Sequence, residues 1–216
     1  MLCHSRPLPL KGFALLEELS VTDLKHACLR ATFLEENWNS TKQPQCVTPP
    51  RVVQVIIPGE DGDYIVRVWR ITSDFILVAT VLGKIVCWDI DADQVAGVHT
   101  LGERWVVFNC RADYTYKRVF CICGLYPLSE GLMKFALLQV QFPAADTDAR
   151  QVTFSTLATF SLPYSQVLDL YILDPFRRLV CVLFMFPESN SIGLYILFDW
   201  DTGLNALVDT EINEAW

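Results

Sequence analysis

The sequence predicts a mainly β fold built from antiparallel strand repeats, with a short helical segment at its N-terminus. Two observations carry this. Beyond residue 50, short runs rich in valine, isoleucine and aromatics alternate with turns of hairpin length. Ahead of residue 39, apolar residues instead recur at steps of three and four.

Residues 1–38 form the helical segment. Leu15, Leu16 and Leu19, then Leu24, Ala27, Cys28, Ala31, Leu34 and Trp38, mark one face. Ser20 with Asp23 three residues on is a capping box, which predicts a short helix before Ser20 and a longer one after it. Two helices of this size cannot bury their own apolar faces, so they dock on the remainder of the chain or on another protein. Residues 39–50 are polar, carry three of the eleven prolines and read as a linker.

Residues 51–216 read as strands: Val52–Ile57, Tyr64–Ile71, Phe75–Val81, Ile85–Ile90, Trp105–Cys110, Val119–Tyr126, Met133–Phe142, Val152–Leu162, Val167–Leu173, Leu179–Phe186, Gly193–Trp200 and Ala206–Ile212. Their arrangement repeats. An apolar strand, a turn and a strand ending in Trp88-Asp89 recur as Arg178–Phe186 followed by Gly193–Asp201, and again, without the aromatic-acid ending, as Arg118–Tyr126 with Leu132–Phe142. With flanking strands, each unit has the size of one blade of a β-propeller, and about three blades are present. The expected fold is an incomplete or open β-propeller-like array of antiparallel blades, with a β-sandwich or irregular barrel as the competing arrangement.

Composition narrows the function. The 216 residues are 52% hydrophobic and 19% charged, enough for a sizeable core. Lys and Arg number 17 against 25 Asp and Glu, a formal charge of −8, the wrong sign for holding nucleic acid or an anionic membrane surface. Mean hydropathy is +0.29, yet the longest apolar runs have strand length and stop at Pro187 and Asp199. Eight cysteines without a CxxC pair, and a start that does not read as a signal peptide, predict free thiols in an intracellular setting, cytoplasm or nucleus. Cys121 and Cys123 share a strand face, where core packing competes with a metal-ligand reading.

Chemistry is sparse. His4, His26 and His99 are scattered, the last in a turn around Val98–Thr100, and no GxSxG, HExxH, GxxxxGK or GxGxxG occurs. Asp89-Ile90-Asp91-Ala92-Asp93 opens like a calcium loop, but Gln94 stands where the turn needs glycine and Thr100 where the site needs glutamate. It reads as a turn. The doublets Lys117-Arg118 and Arg177-Arg178 are too separated to make a nucleic-acid stripe. No catalytic residue, metal or cofactor is expected.

Three groups of residues carry a family resemblance. They are Leu8-Pro9, Leu15-Leu16, Leu19-Ser20 and Asp23-Leu24 with Cys28 and Arg30; Leu29-Arg30-Ala31 and Leu34-Glu35-Glu36-Asn37-Trp38 ahead of the prolines; and Val86-Cys87-Trp88-Asp89-Ile90. In that order they resemble fungal, mostly basidiomycete, F-box proteins with a degenerate WD-repeat-like propeller, here with an incomplete box. The resemblance implies a non-catalytic, substrate-recruiting subunit of an SCF-type ubiquitin ligase. Leu8, Pro9, Leu15, Leu16, Leu19 and Leu24 would then anchor the ligase's adaptor subunit, and the blades would face an unknown target protein. The alternatives are a stand-alone propeller-like scaffold and a propeller glycosidase, the latter requiring two carboxylates facing one pocket.

Overall fold

The computed structural model describes residues 16–39, 54–58, 62–114, 116–125, 132–143, 151–162, 167–175, 177–186 and 191–209. A 3-10 turn at Leu16–Glu18 precedes helix α1, Val21–Asn39. The capping box is formed: Ser20 Oγ accepts the Asp23 amide at 3.2 Å, and its hydroxyl donates to Asp23 Oδ2 at 2.5 Å. The Glu18 carboxylate lies 3.7 Å from Lys117 Nζ.

Among the described residues, twelve strands follow in three antiparallel four-stranded sheets, each a consecutive meander. The first blade holds β1 (Ile65–Arg70), β2 (Phe75–Thr80), β3 (Lys84–Asp89) and β4 (Gln94–Thr100). The second holds β5 (Trp105–Asp113), β6 (Arg118–Leu125), β7 (Met133–Gln141) and β8 (Thr153–Leu162). The third holds β9 (Val167–Asp174), β10 (Leu179–Phe186), β11 (Ser191–Asp199) and β12 (Asn205–Asp209). The blade-like organisation predicted from the repeats is therefore present.

The middle blade is apolar on both faces, and strand periodicity explains how. On β6, Val119, Cys121 and Cys123 point towards the first blade and pack with Leu77, Ile85 and Cys87. The intervening Phe120 and Ile122 point the other way, against Leu170, Val180 and Val182 of the third blade. Two apolar layers thus flank one sheet, which is why its central strands read as near-continuous hydrophobic runs instead of alternating ones. Burial of a side chain such as Phe120 or Ile122 contributes roughly 1.5–3 kcal/mol.

Backbone hydrogen bonds repeat from blade to blade. The residue after the third strand donates its amide back to the carbonyl just before, or one residue before, the second strand: Ile90 to Asp74 at 2.7 Å, Phe142 to Lys117 at 3.3 Å, Trp200 to Arg178 at 3.0 Å. Lys117 and Arg178 both hold positive φ, 51° and 59°. Ahead of them, Asp113 and Asp174 each accept the amide three residues on, at 3.4 and 3.3 Å. The Asp89 turn recurs as Asp199: the first accepts the Ala92 amide at 2.9 Å, the second the Asp201 amide at 2.9 Å, and each turn closes on a positive-φ residue, Asp93 or Gly203. Of the carboxylates of the calcium-like loop, Asp89 is thus spent on the turn, and Asp93 accepts the Trp88 indole N–H at 3.3 Å.

Two strand assignments need correction. Residues 54–57 are not strand, and residues 52 and 53 lie outside the described residues. The outer strand of the first blade is instead Gln94–Thr100, so His99 sits in a strand and not in a turn. Gly97 hid this strand by lowering its β-propensity. Glycine is required there, because a Cβ would lie 2.6 Å from Val152 Cγ2 and 3.0 Å from the Val152 carbonyl oxygen.

Candidate functional site

Helix α1 has one covered and one open side. Ala27 is buried and Leu24, Cys28 and Ala31 are half-buried, spaced at three and four along one face. On the other side Leu29 is 68% exposed and Phe33 46%, while Val21, one turn ahead of Leu24 on the half-buried stripe, is 69% exposed. Apolar periodicity follows the covered side and so leaves out Val21 and Phe33, whereas Leu29 enters the sequence reading only through the family resemblance. Of the anchor residues expected, Leu16 is exposed, Leu19 and Leu24 are half-buried, and Leu8, Pro9 and Leu15 lie outside the described residues.

A second surface forms where the middle and third blades meet. A cleft of about 350 Å³ is lined by Arg118, Gln139 and Leu157 from one side and Pro175, Arg178 and Asp201 from the other, with Phe120 and Trp200 at its base. Arg118 is fixed from several directions. Its Nε lies 3.1 Å from Asp113 Oδ2, its Nη1 donates to Gln139 Oε1 at 3.4 Å, and its guanidinium stacks 4.7 Å from the Tyr116 ring and 4.9 Å from the Phe120 ring. Trp200 tilts against Phe120 with centroids 5.9 Å apart. Arg178 pairs with Asp201, both about half exposed. The two basic doublets, remote in sequence, thus come from equivalent loops and place Arg118 and Arg178 on one cleft.

Chemically the cleft offers two guanidinium groups, Arg118 over aromatic faces and paired with Asp113, and Arg178 paired with the half-exposed Asp201. Among the described residues that line it, Asp201 is the one carboxylate, so the paired acids of a glycosidase are not among them.

At the opposite end of the first blade, Asp63 is nearly inaccessible, with 2% of its side chain exposed. Its Oδ1 accepts the Leu82 amide at 3.2 Å, and its Oδ2 lies 3.1 Å from Lys84 Nζ, an ion pair without hydrogen-bond alignment. Burial pushes the Asp63 pKa up, but the Thr80 hydroxyl, the Leu82 amide and the Lys84 charge together hold it below the usual value of 3.8. This cluster fastens the β2–β3 turn to the segment leading into β1. Among the described residues no cluster of three or more His, Cys, Asp or Glu could hold a metal, and no helix is long and apolar enough to cross a membrane.

No protein-family model and no curated protein matches the chain. Among solved structures, the β-propeller domain of Cps50 (Swd1) from Myceliophteria thermophila is similar at 11% identity and a TM-score of 0.46, over 69% of this chain and 44% of that one. The aligned part is thus under half the length of that chain. By its own sheets, the chain is a mainly β protein of three propeller-like four-stranded blades with an N-terminal helix.

Proposed function

We propose that the protein is a non-catalytic interaction module in which α1 docks one protein partner and the blades present a second surface to another. The observation that carries this is the open side of α1, where Leu29 and Phe33 stand in solvent opposite the stripe that holds the buried Ala27. In its specific form, the first partner is the adaptor subunit of an SCF-type ubiquitin ligase, and the chain recruits a target. Leu8, Pro9, Leu15, Leu16, Leu19 and Leu24 are the anchor residues that the resemblance implies, and Leu29 and Phe33 are added to them. Such a subunit acts by proximity, holding a target beside a charged enzyme so that transfer becomes effectively intramolecular. An intracellular location, cytoplasm or nucleus, goes with that role.

The stand-alone scaffold remains the second reading, favoured by the covered stripe of Leu24, Ala27 and Ala31. Co-expression with an SCF adaptor followed by size exclusion separates the two. Co-elution that disappears in a Leu29→Asp, Phe33→Asp variant supports the ligase reading. A folded chain that elutes alone leaves the scaffold.

A further inference from the structure

We propose that Cys110 and Cys121 form an oxidation site, closing to a disulfide under a hydroperoxide without rearrangement of the fold. The two are direct register partners across β5 and β6, and the Cys110 thiol already points at the Cys121 sulfur from 3.2 Å. Facing positions on adjacent antiparallel strands have Cβ separations of roughly 4.5–5.5 Å, close to the 3.5–4.5 Å a disulfide spans, so a small strand adjustment suffices. Their exposures differ. As a residue Cys110 is half-buried on the edge strand β5, whereas Cys121 is wholly enclosed on the central strand β6 among Val119, Cys123 and Leu138.

The order of steps follows from that difference. Hydrogen peroxide oxidises Cys110 Sγ to the sulfenic acid, forming an S–O bond, breaking the O–O bond and releasing one water. Cys121 Sγ then attacks the Cys110 sulfur; the S–S bond forms, the S–O bond breaks, and hydroxide leaves with the Cys121 proton as a second water. Two thiols and one peroxide thus give one disulfide and two waters. Burial, with Cys121 and Cys123 alongside, holds the Cys110 thiol well above the usual range, while the Arg67 guanidinium works in the opposite direction. The first step is therefore slow compared with an exposed low-pKa thiol, and the second, between touching sulfurs, is fast.

The expected readout is specific. The folded chain is treated with graded hydrogen peroxide, remaining thiols are alkylated, and a digest is mapped without reduction. A linked peptide pair joining residues 110 and 121, reversed by dithiothreitol, with an unchanged circular dichroism spectrum, is the result expected. In Cys121→Ala, and independently in Cys110→Ser, that linked pair disappears; in the former, dimedone traps a sulfenic acid at Cys110. Cys110 linked instead to Cys123, or Cys110 carried to the sulfinic acid in folded wild-type protein without any link, would overturn the proposal. The wild-type map decides even where a variant fails to fold.

Discussion

Arg111 Nη1 donates to the Ile172 carbonyl at 2.9 Å, tying the inner strand of the middle blade to that of the third. The same device joins the first two blades: Arg67 Nη1 reaches the Phe108 carbonyl at 2.6 Å. Both acceptors sit at irregularities in the ladder. Phe108 is skipped between the paired residues Val107 and Asn109, and Ile172 lies next to Leu173, which the β9–β10 register skips. A bulge leaves backbone groups outside the strand ladder, and a buried carbonyl without a donor is costly. The arginines supply the donor and set the spacing of the blades at once.

Replacing Arg111 with methionine keeps much of the stem's packing and removes the charged donor. Stability should fall by about 1–3 kcal/mol, read as a lower urea midpoint. Arg67→Met should behave alike, and the two losses should add, because they act at different blade junctions.

Two glycines with the same backbone sign should respond differently to alanine. Gly83 has φ +72°, and a Cβ there would meet the Gly102 carbonyl oxygen at 2.0 Å; Gly203 has φ +72° with nothing within 4 Å. Gly203→Ala should cost about 1 kcal/mol, the left-handed strain alone. Gly83→Ala should cost about 2–4 kcal/mol, since the Gly102 backbone must also move. Thermal melts of both variants in parallel check the difference.

Acid should lower the protein's stability in two steps. His99 stacks on Phe154 at 5.5 Å, and burial holds its pKa below the usual 6.5. Because its folded value is depressed, its contribution is complete above 6.5 and is lost as pH falls through the folded value. Asp63, also depressed, contributes fully above 3.8 and loses that contribution as pH falls through its lower folded value. Urea midpoints across the acid range should show both losses, with His99→Gln removing the first and Asp63→Asn the second.

Much of the blade architecture was legible because it is local. Period-two runs and hairpin-length turns are written in consecutive residues, and Ser20 with Asp23 marks the start of α1 directly. The exception, Gln94–Thr100, failed because its glycine answers to Val152 on another blade. The cleft was not legible for the same reason. Arg118 and Arg178 meet only when two blades stack, although the matching sequences Asp113 to Arg118 and Asp174 to Leu179 held a repeat that could have been found. Cys121 was read with Cys123, its neighbour along the strand, whereas its touching partner is Cys110, fixed by register.

Calorimetric titration of a purified SCF adaptor into the folded chain tests the interaction role of α1 most directly. Saturable binding should be lost in Leu29→Asp, Phe33→Asp and retained in Arg178→Ala, whose side chain lies on the blade cleft, with melting temperatures of all three forms close together. Absence of heat from the folded wild-type chain, or equal binding by the α1 variant, would contradict it.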